Sequence, residues 1–140
     1  MFDLCPTDRL IEWRKFRDSI ETNIEPLNLV AELWSHAPFV NHYLDPHNPK
    51  KWPDPWRLVM DGKFDDLAIV LGMLYTIKLT QRFINTHCEI HMSTSSKKLD
   101  NRFYLIVDNL HVLNLEPRKS IDLNSFEATT DIIWSGSSLQ

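Results

Sequence analysis

One stretch constrains the fold more than any other. From Leu67 to Ile77 the chain reads LAIVLGMLYTI, apolar at nearly every position. Asp65 and Asp66 precede it, and Lys78 and Arg82 follow it. That charge order complements the dipole of a helix running from Asp65 to about Phe83. A helix apolar on all sides has no face to turn to water, so it has to be the enclosed centre of the molecule. Gly72 in its middle costs roughly 1 kcal/mol relative to Ala, which implies the close approach of another backbone at that point.

The remainder of the 140 residues must supply the wrapping. Leu10, Trp13, Phe16/Arg17, Ile20 and Ile24 recur near a 3.6-residue period, predicting a first helix capped by Thr7 or Asp8. Glu12, Arg14, Lys15, Asp18 and Glu21 make its outer face. Pro26 suits the first turn of a second helix, which buries Leu27, Val30, Ala31, Leu33 and Trp34 and stops before Pro38. Residues 38–55 then hold five of the eight prolines. Proline fixes φ, lacks a donor and pushes its predecessor out of the α region, so this segment is extended. Its Phe39, Val40, Tyr43, Leu44 and Trp52 need somewhere to pack. The expectation is an ordered arm lying across the domain or reaching a neighbour. Asp54-Pro55 starts a short helix that Gly62 ends.

After Asn85 the period changes from 3.6 to 2. Cys88, Ile90 and Met92 alternate with Glu89, His91 and Ser93, as in a half-buried strand. A turn at KKLDN leads to Phe103–Val107, apolar on both faces and therefore interior. Asp108-Asn109 turns into a strand over 110–115 that Pro117 ends, and a last strand lies at 131–134. Helices first and an antiparallel meander afterwards make an α+β fold. Residues 1–134 form one domain, and 135–140 a flexible end.

Composition excludes several classes of function. Fifteen Lys+Arg against 19 Asp+Glu leave a net charge of −4, and the basic pairs Lys50/Lys51, Lys97/Lys98 and Arg118/Lys119 sit in loops, so no nucleic acid is expected as a partner. No apolar run approaches the roughly 18 residues of a membrane span. MFDLCPTDRLIEW lacks the basic start and apolar core of a signal peptide, and two cysteines build no disulfide framework, so a soluble protein of a reducing compartment is expected. The three glycines, Gly62, Gly72 and Gly136, form no phosphate-cradling loop, and no cofactor is expected.

Two constellations carry possible chemistry. His87, Glu89 and His91 share one face of a strand at steps of roughly 6.8 Å. That spacing is too long for two histidines of one strand to chelate one ion, so a metal needs a further ligand such as His111 from a neighbouring strand. The expectation is a solvent-facing polar row on an edge strand, with no metal. Asp65 and Asp66 are neighbours, diverge by about 100° on a helix and do not share a site.

The second constellation is nucleophilic. A central helix, then a strand with His91, then a strand ending at Asp108, resembles the transglutaminase-like branch of the papain-like superfamily across residues 60–117. The resemblance implies a cysteine hydrolase in which His91 is the base and Asp108 orients it. The helix start, Gly62-Lys63-Phe64-Asp65-Asp66, departs from that pattern because Phe64 or a carboxylate occupies the nucleophile's place. A carboxylate there raises the pKa of a nearby thiol. Cys88 lies on the alternate face of the base's own strand, and Cys5 precedes the first helix. The implied protein is a catalytically inactive relative, with an active hydrolase using His91 and Asp108 as the alternative.

What remains is the arm. WPDPW, with Phe39, Tyr43, His42 and His47, sets aromatic rings beside rigid prolines, a composition suited to anchoring a partner at low entropic cost. Phe39, Tyr43, Trp52 and Trp56 are the candidate partner-binding residues, with burial of Trp52 and Trp56 in the domain's own core as the alternative. The segment WPDPWRLVMDGKFDDLAIVLGMLYT also resembles a small protein of large tailed bacteriophages of the T4-like, cyanophage type. That resemblance implies a structural or adaptor role at the neck, tail or baseplate. It further implies assembly in the host cytoplasm and other virion or assembly proteins as partners in a hetero-oligomeric complex.

Overall fold

The computed structural model of the protein describes residues 1–41, 43–93, 102–116, 118–126 and 129–137. Four α-helices come first: α1 (Pro6–Ile20), α2 (Pro26–Trp34), α3 (Pro55–Asp61) and α4 (Asp66–Lys78). Five strands follow: β1 (Cys88–Ser93), β2 (Phe103–Val107), β3 (His111–Glu116), β4 (Lys119–Asp122) and β5 (Thr130–Gly136). They form one antiparallel sheet in the order β4-β3-β2-β1-β5, an α+β fold. The first four strands make a meander. The fifth crosses back to the far side of β1, so β1 is an inner strand and not the edge its polar row suggested.

The apolar run becomes α4, buried at every residue from Val70 to Lys78. It packs against α2 and α3 on one side and against β1 and β2 on the other. The tight approach at Gly72 comes from a side chain and not from a backbone. A Cβ at residue 72 would stand 2.3 Å from the Trp34 ring, so glycine is what lets the indole lie across α4. The Nε1–H groups of Trp13 and Trp34 both donate to the Thr76 hydroxyl at 2.9 Å, and that hydroxyl donates to the Gly72 carbonyl at 2.7 Å. One threonine thus satisfies two buried indoles from two helices.

Asp65 and Asp66 diverge as expected, and each fastens a different element. Asp65 caps α4 by accepting from Ala68 N–H at 2.8 Å, and its second oxygen accepts from Tyr43 N–H and Leu44 N–H at 2.9 and 3.0 Å. Asp66 accepts from Phe103 N–H and from Asn114 Nδ2, tying the helix start to β2 and β3. Asn114 has φ 71°, within an irregularity of the β3–β4 pairing between Val112 and Glu116.

The boundaries differ from the sequence expectation in five places. Pro6, without an N–H to satisfy, opens α1 after Cys5, ahead of Thr7 and Asp8. Helix α1 ends at Ile20, leaving Ile24 92% exposed in the following turn and outside the core. The central helix stops at Lys78, and a separate 3₁₀ turn at Gln81–Phe83 follows, its first amides accepted by the Glu21 carboxylate. A further strand, β4, follows β3 where no strand was expected before 131, through a turn in which Arg118 has φ 70°. Finally, Ser135 and Gly136 belong to β5, paired with Glu89 and Cys88, and Ser137 accepts from Lys78 Nζ, so an end beginning at 135 is too early. The KKLDN turn, Pro117, His42 and 138–140 lie outside the described residues.

Candidate functional site

The alternation of β1 sends Cys88 and Ile90 into the core and His87, Glu89 and His91 to the opposite face. There the three side chains form a chain of hydrogen bonds. His87 Nε2 lies 3.0 Å from Glu89 Oε2, and His91 Nε2 lies 2.9 Å from Glu89 Oε1. A carboxylate only accepts, so both Nε2 atoms carry the proton, and Nδ1 of His91 lies 2.8 Å from the Thr130 hydroxyl. Hydrogen bonds from His91 and then His87 hold the Glu89 carboxyl below its ordinary range. Nitrogens that donate to Glu89 have no lone pair for a metal. His111 offers no help: paired with Val107, which pairs with Cys88, it lies on the helix-facing side of the sheet. Among the described residues no three His, Cys, Asp or Glu side chains are grouped to hold a metal ion.

The hydrolase pairing is not formed either. His91 pairs with Tyr104, whereas Asp108 follows Val107 and donates its N–H to the His87 carbonyl. By strand rise His91 and Asp108 are roughly 13 Å apart along the sheet. Asp108 and Asn109, with φ of 56° and 54°, form the left-handed turn between β2 and β3. The Cys88 thiol is fully buried, and burial pushes it up to about 11, with Lys78 opposing and Asp108 adding to the rise. Cys5 is exposed at the start of α1, where its side chain makes no capping hydrogen bond.

The four arm residues have different fates. Phe39 is 61% exposed, on backbone fixed by a bridge to Phe64 and by Val40 N–H donating to the Phe64 carbonyl at 2.9 Å. Tyr43 is half-buried; its hydroxyl donates to Asp61 at 3.0 Å, and burial and that bond push it up to about 12. Trp52 is half-buried against the core, lining a small cavity with Leu71, Leu74, Tyr75 and Trp134, and its Nε1–H donates to the Asp45 carbonyl at 2.7 Å. Trp56 is 46% exposed on α3. The arm therefore lies across its own domain, with Trp52 turned inward and Phe39 and Trp56 turned outward.

Trp56 takes part in a feature that the sequence reading missed. Its ring meets Trp13 edge-on at 5.8 Å, and the Arg17 guanidinium lies 4.5 Å from the Trp13 ring centre and 5.4 Å from that of Trp56. The signal was present as Trp13 and Arg17 at i and i+4 on one helix face, but Arg17 shared its place in the apolar period with Phe16. A cleft of about 480 Å³ opens beside this stack, and a second of about 400 Å³ lies between the start of α2 and the β2–β3 turn.

Comparison of the chain with protein-family models, with curated proteins and with solved structures found no match.

Proposed function

We propose that this protein is a non-enzymatic adaptor acting through protein–protein contacts, a component of a tailed-phage particle at the neck, tail or baseplate. The observation that carries the contact reading is that Phe39 and Trp56 are large aromatics at once exposed and held on fixed backbone. A ring of that kind buries a large area on binding and loses little conformational freedom. The separation of His91 from Asp108 and the raised, buried thiol of Cys88 favour this reading over a cysteine hydrolase.

The particle itself is supported by the phage resemblance of residues 52–76 alone. Quantitative mass spectrometry of particles purified from an infected culture tests it. The chain is expected at fixed stoichiometry with the structural proteins, and its presence in the lysate but not in the particles contradicts a virion role.

A further inference from the structure

The adaptor reading leaves open what the exposed tryptophan meets, and the surroundings of Arg17 narrow the answer. Its Nε is buried and has no hydrogen-bond partner, an exceptional state for a charged donor. Burial lowers the Arg17 pKa; Asp18 opposes this, and the neighbouring charge of Arg14 adds to the lowering. Arg14 and Arg17 are one turn apart on the same face of α1, a like-charge spacing that destabilises a helix. Neither guanidinium forms an ion pair among the described residues.

The acids of the cleft do not relieve them. Both carboxylate oxygens of Glu21 accept backbone amides, from Gln81 and Arg82, and Asp18 acts on Arg17 only at a distance. The cleft thus holds two arginines and two carboxylates, and neither carboxylate forms an ion pair or hydrogen bond with either guanidinium. Apolar surface lies next to them: Leu10, the half-exposed Ile11 and the open side of Trp56.

We infer that this cleft receives a segment of a partner protein in which an acidic side chain stands beside an apolar one. The carboxylate meets the Arg17 guanidinium with Arg14 in support, and the apolar side chain covers Trp56 and Ile11. Such a carboxylate supplies a charged acceptor to the solvent-facing edge of the stacked guanidinium, which has no ion-pair partner of its own among the described residues. Flanking tryptophans fix the guanidinium plane and so reduce the ordering cost of binding. The inference rests on the adaptor reading and adds the partner's chemistry to it.

The test uses the whole protein, ¹⁵N-labelled, and three short synthetic peptides: one of alternating Glu and Leu, its Gln-for-Glu counterpart and its Lys-for-Glu counterpart. The acidic peptide is expected to shift the Trp56 indole N–H resonance. Its affinity is expected to exceed that of the Gln peptide by about tenfold and to fall with added salt. Arg17→Gln is expected to weaken binding about tenfold, and Arg14→Gln severalfold. Arg14 is exposed, so that variant keeps the test usable if Arg17→Gln does not fold.

Equal binding of the Gln peptide overturns the acidic specificity. Binding of the acidic peptide without a shift at Trp56 overturns the assignment to this cleft. No binding of any peptide at about 1 mM overturns the inference as a whole. Self-association of the chain that shifts Trp56 makes a second copy the occupant and overturns it too. The adaptor reading has its own readout at Phe39, outside this cleft, so the two fail separately.

Discussion

Thr76 holds more of the molecule than its size suggests. Its hydroxyl accepts two indole N–H groups and donates to one carbonyl, all inside the core. Thr76→Val keeps the shape and strands both indoles. We expect a loss of about 2–5 kcal/mol, the desolvation cost of two unpaired buried donors. Urea denaturation measures it, and Thr76→Ser should recover most of the loss. The two thiols make a second residue-scale contrast. Cys88 is buried with its pKa pushed up to about 11, and Cys5 is exposed. Native protein at neutral pH should therefore lose one thiol quickly to iodoacetamide and keep the other until it unfolds. Equal labelling of both contradicts the placement of Cys88. The burial of Cys88 was legible in the alternation of β1, but the bonding of Thr76 was not. Gly72 signalled a close approach, but nothing local distinguished an indole from a backbone as its cause.

At the scale of elements, the pair of aspartates at the start of α4 joins three parts of the chain. Asp65 ties the arm to the helix and Asp66 ties the sheet to it. Asp65→Ala should free the Tyr43 and Leu44 amides and remove the cap. Native-state hydrogen exchange should then quicken at residues 43–44 and at the first turn of α4, while β2 stays protected. Faster exchange across the whole sheet contradicts this division of labour. The elements themselves were largely readable, because each carries a local signal. Pro26 and Asp54-Pro55 mark helix starts, and the alternation from Cys88 marks β1. The misses fall where a local signal competed with a distant contact. Pro117 reads as the end of the third strand with only one more strand to follow near 131, yet β4 comes directly after it and pairs with β3. The Ser135–Ser137 segment reads as a frayed tail, yet β1 and Lys78 hold it.

For the whole molecule, helices cover one face of a sheet whose other face carries the Glu89–histidine chain and a small cluster of Tyr104, Ile106 and Val112. The candidate site was only partly visible from sequence for a physical reason. Aromatic rings beside proline say that a surface is stiff, but whether each ring turns inward depends on residues far along the chain. Trp52 packs against the core beside Tyr75 and Trp134, while Phe39 stays exposed on backbone bridged to Phe64. What decides the adaptor role is whether the outward rings serve contact or stability. The most direct measurement pairs thermal unfolding with incorporation into particles for Phe39→Ser and Trp56→Ala. Phe39→Ser should alter stability by no more than about 0.5 kcal/mol, as an exposed substitution does. Both variants should lose incorporation by about tenfold or more, the mark of a truncated anchor. Unchanged incorporation with both rings removed, or unfolding of Phe39→Ser, would contradict the adaptor role.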